Sequence, residues 1–425
     1  MIETSTSTLG KIGKVCMCKR ILKEQTSPTG DIPFYKISTF GDKADCYISR
    51  EIYEDYKTRF SFPKKGDILI SAAGTLGRTV IYDGEDAFFQ DSNIVWIDND
   101  ETKVLNDYLY YFYQTNPWIR TFGSTISRLY NDNIRSVSIT YPKDIGVQKE
   151  IVNVLKTIDL KISNNNAICS DLEAMTKLLY DYWFIQFDFP DKNGKPYKSS
   201  GGKMVWNDEL KREIPEGWEV HPANAYLDIV KGISYTASDL LGDGIKMLNL
   251  NSFNEDGSYK VEGIKTFSGN APNERTLLPN DLIMCTTQQT DIDLSGKKNV
   301  IGKALLVPDL EETMTFSMDV CKLVSDNKKY LPFFKYQFGL SHAHKYIVGY
   351  ANGTKIKHLD VANALSLPVA MPGQDSSLID RFSDFAFSIN GKISEIIKEN
   401  QQLASLRDFL LPMLMNGQVK VGEVN

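Results

Sequence analysis

Two distant stretches of the sequence carry the same ten-position heptad pattern, and this duplication constrains the fold more than any other feature. Ile151, Leu155, Ile158, Ile162, Asn165, Cys169, Leu172, Thr176, Leu179 and Trp183 follow one another in alternating steps of four and three. At a shift of 231 the same steps give Phe382, Ala386, Ile389, Ile393, Ile396, Asn400, Leu403, Arg407, Leu410 and Leu414. Neither stretch contains proline before Pro412, and Gly417 stands where a helix C-terminus favours glycine. At ~1.5 Å per residue, about 35 residues make a helix of roughly 50 Å. Two such helices predict an intramolecular antiparallel coiled coil, with two separate amphipathic core helices as the plainer alternative. Centred on each other, they bring Asn165 against Asn400, a buried polar pair that would fix register at some cost in stability.

Three further blocks recur in the same order. Gly66-Asp67-Ile68-Leu69-Ile70 resembles Asn280-Asp281-Leu282-Ile283-Met284, each an apolar strand entered from a turn. Ser92 to Ile97 resembles Met318 to Leu323, and Gly123–Pro142 lies on Gly353–Pro372 at a shift of 230, with Leu129 on Leu359 and Ile139 on Val369. The expected fold is α+β, with two pseudo-repeated α/β globular heads separated by two long antiparallel helices. Its parts are a first head over 1–147, a long helix over 148–187, a connector over 188–217, a second head over 218–373, a second helix over 374–417 and a tail over 418–425. The connector is rich in Gly, Pro, Lys and Ser, which reads as an ordered-to-flexible link. The loops before the two helices are unequal, since Pro372-Gly373-Gln374 stands where the first copy has Pro142 and then Gln148.

Composition excludes several classes. At 425 residues, 42% hydrophobic and 24% charged, the chain is globular and large enough for more than one core. No apolar run approaches the ~20 residues of a spanning helix, and the N-terminus lacks the order of a secretory signal, so a cytoplasmic protein with no membrane partner is expected. Six scattered cysteines, Cys16, Cys18, Cys46, Cys169, Cys285 and Cys321, read as reduced thiols. Neither Cys16-Met17-Cys18 nor His342-Ala343-His344 has further ligands at metal-site spacing, so no metal is expected. A net charge of -6 argues against phosphate contacts only for the surface as a whole; binding needs a local basic stripe.

Two similar heads on helices of fixed length suit a ligand with two separated sites, and duplex DNA repeats its groove face every ~34–36 Å. Because the heads differ widely between the matched blocks, the two sites should differ in sequence, giving a split, non-palindromic target.

Ser405-Leu406-Arg407-Asp408-Phe409-Leu410-Leu411-Pro412-Met413-Leu414-Met415-Asn416-Gly417 resembles the C-terminal signature of type I restriction-modification specificity subunits. Lys65 to Ser71 with Gly74-Thr75-Leu76-Gly77-Arg78 is similar to a motif of that family's target-recognition domains, and so is Tyr182 to Pro190 followed by Gly217-Trp218. The resemblance runs over essentially the whole chain in the family's order. It implies that each head is a target-recognition domain reading one half of a bipartite site on double-stranded DNA. It also implies that the coiled coil receives two methyltransferase subunits, and that restriction subunits join the same core. S-adenosylmethionine, ATP and Mg would then belong to those partners, with no cofactor bound by this chain. The chain would be non-catalytic by itself, within a type I site-specific deoxyribonuclease and DNA adenine-N6 methyltransferase complex that defends against foreign DNA. The competing expectation is a stand-alone coiled-coil scaffold or transcription factor without methyltransferase partners.

Enzymatic readings find little support. Asn116-Pro117-Trp118 lacks the second proline of an adenine methyltransferase element and is explained by a cap followed by proline at the first helical position. No G-x-x-x-x-G-K-[ST] loop, G-x-S-x-G elbow or H-E-x-x-H helix occurs. Pro190-Asp191 with Glu209-Leu210-Lys211 could hold magnesium in a nuclease, but these residues fall in the connector with no strand core to fix them. The aromatic run Tyr108, Tyr110, Tyr111, Phe112 and Tyr113 reads as a core helix rather than a base-stacking platform.

Matched loops supply the candidate DNA contacts. In the first head these are Thr75 and Arg78 after the Ile68 strand, then Ser124, Ser127 and Arg128 in the turn before Leu129. In the second head, Gln288 and Gln289 fall in the loop after Met284, and Thr354, Lys355, Lys357 and His358 match the Ser124–Arg128 turn. Arginine can grip guanine and glutamine adenine through paired hydrogen bonds, whereas lysine mostly meets phosphate.

Overall fold

The duplicated strand blocks build the same sheet twice. In the computed structural model, residues 3–123, 126–289, 300–373 and 377–418 are described, and the chain divides into a first unit, 1–163 with 402–425, and a second, 164–401. The first unit's central sheet has the order Gly13–Met17, Ile94–Asn99, Ile68–Ser71, Thr79–Ile81, antiparallel throughout. The second unit's has the order Asp228–Lys231, Val320–Val324, Leu282–Cys285, Ala304–Leu306, again antiparallel.

Both sheets are covered on both faces, which explains why Ile68 to Ile70 and Leu282 to Cys285 are apolar without alternation. Ile68 and Ile70 enter one core with Val95 and Ile97, while Leu69 enters another with Ile94 and Trp96. In the second unit Leu282 and Met284 share a core with Cys321 and Leu323, and Ile283 and Cys285 share another with Val320. The turn leading into each middle strand is also repeated. Gly66 (φ +92°) and Asn280 (φ +66°) take the left-handed conformation. The next residue turns its carboxylate back, Asp67 accepting from Lys64 N at 2.7 Å and Asp281 from Leu278 N at 2.9 Å.

The remaining elements follow the same plan. Thr4–Thr8 pairs antiparallel with Ser138–Pro142, as Trp218–Pro222 does with Pro368–Pro372. A smaller sheet sets Ile32–Tyr35 parallel to Phe88–Phe89, as Ile245–Leu248 lies parallel to Met314–Phe316. Helices Asn106–Gln114 and Pro117–Phe122 correspond to Tyr330–Gly339 and Ser341–Val348. Tyr108, Tyr111, Phe112 and Tyr113 are buried, so the aromatic run is a core helix. Pro117 opens its helix as expected, but Asn116 makes no side-chain cap and instead takes φ +52°.

The long helices are Ile145–Tyr180, continued by a π turn over Asp181–Ile185, and Ser377–Met415. The first therefore starts three residues earlier than expected, because Asp144 caps it by accepting from Gly146 N at 2.7 Å. Gln148, one turn in, is fully buried and donates to Lys103 O and Pro142 O at 2.8 Å while accepting from Leu105 N at 3.0 Å. The second ends on Gly417 (φ +67°), where Gln418 N donates back to Met413 O at 2.9 Å. The expected start at 374 lies outside the described residues. None of the twenty seam positions is exposed.

Within the second unit the helices run antiparallel, since Tyr180 packs on Phe382 at 5.5 Å between ring centroids and Asn165 meets Asn400. Asn165 Nδ2 donates to Asn400 Oδ1 at 2.8 Å and to Glu399 Oε2 at 2.7 Å, and Asn400 Nδ2 donates to Asn166 Oδ1 at 2.9 Å. Within the first unit Arg407 reaches Asp159 at 3.0 Å, and Tyr111 donates to the same carboxylate at 2.7 Å.

The connector, read from its composition as ordered-to-flexible, is held by specific contacts. Asp188 accepts from Ser199 N at 2.7 Å and Ser199 Oγ at 2.6 Å, Tyr197 stacks on Phe189 at 4.8 Å, and Phe189 stacks on Trp218 at 5.5 Å. An antiparallel hairpin, Met204–Asn207 with Arg212–Pro215, follows. Among the described residues no helix is long and apolar enough to cross a membrane.

Asn165→Leu should lower stability by about 1–3 kcal/mol, because it leaves the half-buried Oδ1 of Asn400 without its donor. In the Asn165→Leu/Asn400→Leu double variant most of that loss should be recovered. Urea midpoints of the four proteins in a double-mutant cycle measure both effects, and an additive cycle would show that the pair sets nothing.

Candidate nucleic-acid interface

Each head holds its two candidate loops together through backbone hydrogen bonds, and the bonds are equivalent. In the first head Ala72 N donates to Asn93 O at 2.7 Å and Leu129 N to Ala72 O at 2.9 Å. In the second, Thr286 N donates to Asp319 O at 2.8 Å and Leu359 N to Thr286 O at 2.8 Å. Beyond these bonds Ala73 bridges Arg128, and Thr287 pairs with His358. The segments matched by sequence are thus adjacent in space, and each head presents one continuous surface built from both.

On the first head, Ser71 organises the loop that carries Thr75 and Arg78. Its hydroxyl donates to Thr75 O and accepts from Arg78 N at 2.9 Å. Gly77 (φ +77°) lies on Trp118, so close that a Cβ would stand 2.4 Å from the indole. Thr75 and Arg78 are exposed, and Arg78 Nη2 donates to Gly41 O at 3.0 Å. Ser127 is exposed, while Ser124 lies outside the described residues. Arg128 is half-buried. Its Nη2 donates to Ser92 O at 3.0 Å and Ser92 Oγ at 3.1 Å, and its guanidinium lies 5.9 Å from the ring centre of Tyr130, which is 65% exposed. Arg128 is therefore an aimed group rather than a loose one.

On the second head the structure corrects one expectation. Gln288 and Gln289 are not in a loop but on strand Thr287–Gln289, which pairs with Ile356–Leu359. The Gln288 side chain is buried and accepts from Val300 N at 2.9 Å and Ile301 N at 3.4 Å. Its oxygen completes the backbone of a neighbouring turn, so it does not face outward to a base. Lys357 sits opposite Gln288 on the paired strand, with His358 exposed beside it and Nδ1 3.5 Å from Thr287 Oγ1. Thr354 and Lys355 are exposed just before that strand.

The other chemistry-bearing residues are structural. His344 Nε2 lies 3.0 Å from Ile301 O, so that nitrogen carries the proton, and burial holds the imidazole pKa below its ordinary value. Burial likewise lowers the pKa of His342 and pushes the thiols of Cys18, Cys285 and Cys321 up to about 12. Among the described residues no cluster of three His, Cys, Asp or Glu side chains could hold a metal ion.

Residues 1–174 match the family described as Type I restriction modification DNA specificity domain. That match spans the first head and most of the first long helix. S.HindORF215P of Haemophilus influenzae, named as a type I restriction enzyme specificity subunit, is 63% identical over 147 residues, which span 35% of this chain and 38% of that one. The MjaIX specificity subunit of Methanocaldococcus jannaschii is 26% identical over 93% of this chain and 88% of its own length. The crystal structure of a type I restriction-modification S subunit from M. genitalium shares the fold, with a TM-score of 0.53 at 16% identity over 97% of this chain and 96% of that one.

Sequence reasoning missed Ser92, Tyr130 and Met318, which border the same surfaces. Ser92 and Met318 open a matched block, so the repeat itself carried the signal. Tyr130 directly follows the matched Leu129. Gln288→Ala should destabilise the protein by about 1–3 kcal/mol by leaving two buried amides without an acceptor. Ser127→Ala, on exposed surface, should stay within about 0.5 kcal/mol of the parent. Thermal or urea denaturation separates the two; equal stability would return Gln288 to the base-reading set.

Proposed function

We propose that this chain is the DNA-recognition subunit of a type I restriction-modification complex, each head reading one half of a bipartite, non-palindromic target. The observation that carries the reading is the shared backbone frame, which displays different side chains in the two heads: Thr75, Arg78, Ser127 and Arg128 in one, Lys355, Lys357 and His358 in the other. Arginines on the first surface would reach base edges, and lysines on the second would neutralise phosphates.

The long helices supply surface for partners. Leu160, Leu406 and Phe409 in the first unit are exposed, as are Ile168, Met175 and Leu178 in the second. Exposed apolar side chains of this size on a paired helix suit a protein interface. In this reading two methyltransferase subunits dock there, bringing S-adenosylmethionine to a flipped adenine. Restriction subunits bring ATP and Mg, and this chain contributes recognition without a chemical step.

Affinity purification of the tagged full chain should recover a methyltransferase that binds S-adenosylmethionine, and host methylome sequencing should show a split adenine-methylated motif that vanishes when the gene is deleted. A chain that binds DNA sequence-specifically alone and recovers no methyltransferase would be a solitary factor instead. Arg128→Ala should weaken binding by about 1–3 kcal/mol through one half-site only. Lys357→Ala should weaken all sequences alike and lower the salt slope by about 1. Footprints on targets altered in either half measure the first effect, and salt titrations the second.

A further inference from the structure

At one point on the shared frame the two heads have opposite chemistry. The residue before the carbonyl that accepts from Ala72 N is Ser92, in a left-handed conformation and held by Arg128 through two hydrogen bonds. The residue before the carbonyl that accepts from Thr286 N is Met318. Its side chain is 56% exposed, although the turn beneath it is tied on every side. Met318 N donates to Ile233 O at 2.9 Å, and Met318 O accepts from Thr286 Oγ1 at 3.4 Å. Asp319 N donates to Ser317 Oγ at 3.3 Å, and Val320 N to Ser317 O at 3.0 Å. Gly232 approaches so closely that a Cβ there would stand 2.0 Å from Ser317 O. The thioether is thus presented from a fixed backbone, beside the strand bearing Thr287 and its partner His358.

We infer that Met318 is a specificity-determining residue of the second head, making apolar contact with the 5-methyl group of a thymine in that head's half-site. The inference rests on the reading of the heads as DNA half-site readers. The major-groove edges of the bases carry hydrogen-bonding groups of both kinds but one apolar group, the thymine methyl. A long, polarisable, unbranched side chain adapts to such a group without needing a hydrogen-bond partner. The first head has no such element at this point, because Ser92 is polar and engaged by Arg128. The matched turn is therefore a place where the two half-sites are told apart.

The test uses the full-length chain with the proteins that co-purify with it. A target is first selected from random duplex DNA, then each thymine is replaced in turn by deoxyuridine, which lacks only the methyl. For the parent, one replacement should weaken binding roughly fourfold, which corresponds to about 0.8 kcal/mol for one buried methyl-sized group. Met318→Ala should bind the unmodified target about fourfold more weakly and be indifferent to that same replacement. Met318→Leu should keep both the affinity and the sensitivity. A specific complex in which no thymine behaves this way, or in which parent and Met318→Ala respond equally, overturns the role of Met318 alone. Failure to select any preferred sequence overturns the half-site reading, and this inference with it.

Discussion

One polar contact, Asn165 to Asn400 at 2.8 Å, crosses the paired long helices in an otherwise largely apolar seam. Leucine and isoleucine at heptad positions fill space almost equally well when one helix slides by seven residues, so apolar burial drives association without choosing a register. In our proposal Asn165 and Asn400 make that choice, because a slide would deprive the buried Asn165 amide and the half-buried Asn400 amide of each other. Where the register is set, Glu173 meets Lys335 at 2.6 Å, and Asn390 Nδ2 reaches Asn280 Oδ1 at 2.8 Å. Asn280 is the left-handed residue that turns the chain into the middle strand of its sheet. The helix is thereby linked by one side chain to the strand that leads to the recognition surface.

Period and duplication were the legible part of this fold. The heptads located both long helices to within a few residues, and the matched strand blocks found the middle of both sheets because those strands are buried on both faces and cannot drift far from apolar. The smaller parallel-containing sheets escaped notice. Their strands run from two residues, as in Tyr47–Ile48 and Phe88–Phe89, to four, as in Ile32–Tyr35 and Ile245–Leu248, too short for a readable period. The connector's composition left its degree of order open for a related reason: glycine, proline and lysine report local freedom, whereas its order comes from Asp188 gripping Ser199 and from aromatic stacking on Trp218.

The candidate surfaces were half visible. The repeat located both loops in each head, and the structure joins them through equivalent hydrogen bonds. It could not tell that Gln288 points inward, since a glutamine satisfying the amides of Val300 and Ile301 looks in sequence like one waiting for adenine. Nor could it separate an anchored arginine from a free one. Arg128 is aimed by Ser92, thirty-six positions away, and no local pattern records that distance.

The frame that carries these side chains is made of main-chain donors and acceptors: Ala72, Asn93 and Leu129 in one head, Thr286, Asp319 and Leu359 in the other. Main-chain groups are common to nearly every residue type, so the frame does not depend on what is mounted beside it. Replacements at the outward positions should cost the lobe little of its folding energy. Closely packed places such as Gly77 against Trp118 tolerate almost none. A lineage of such chains could therefore drift toward new targets by single substitutions without passing through unfolded intermediates.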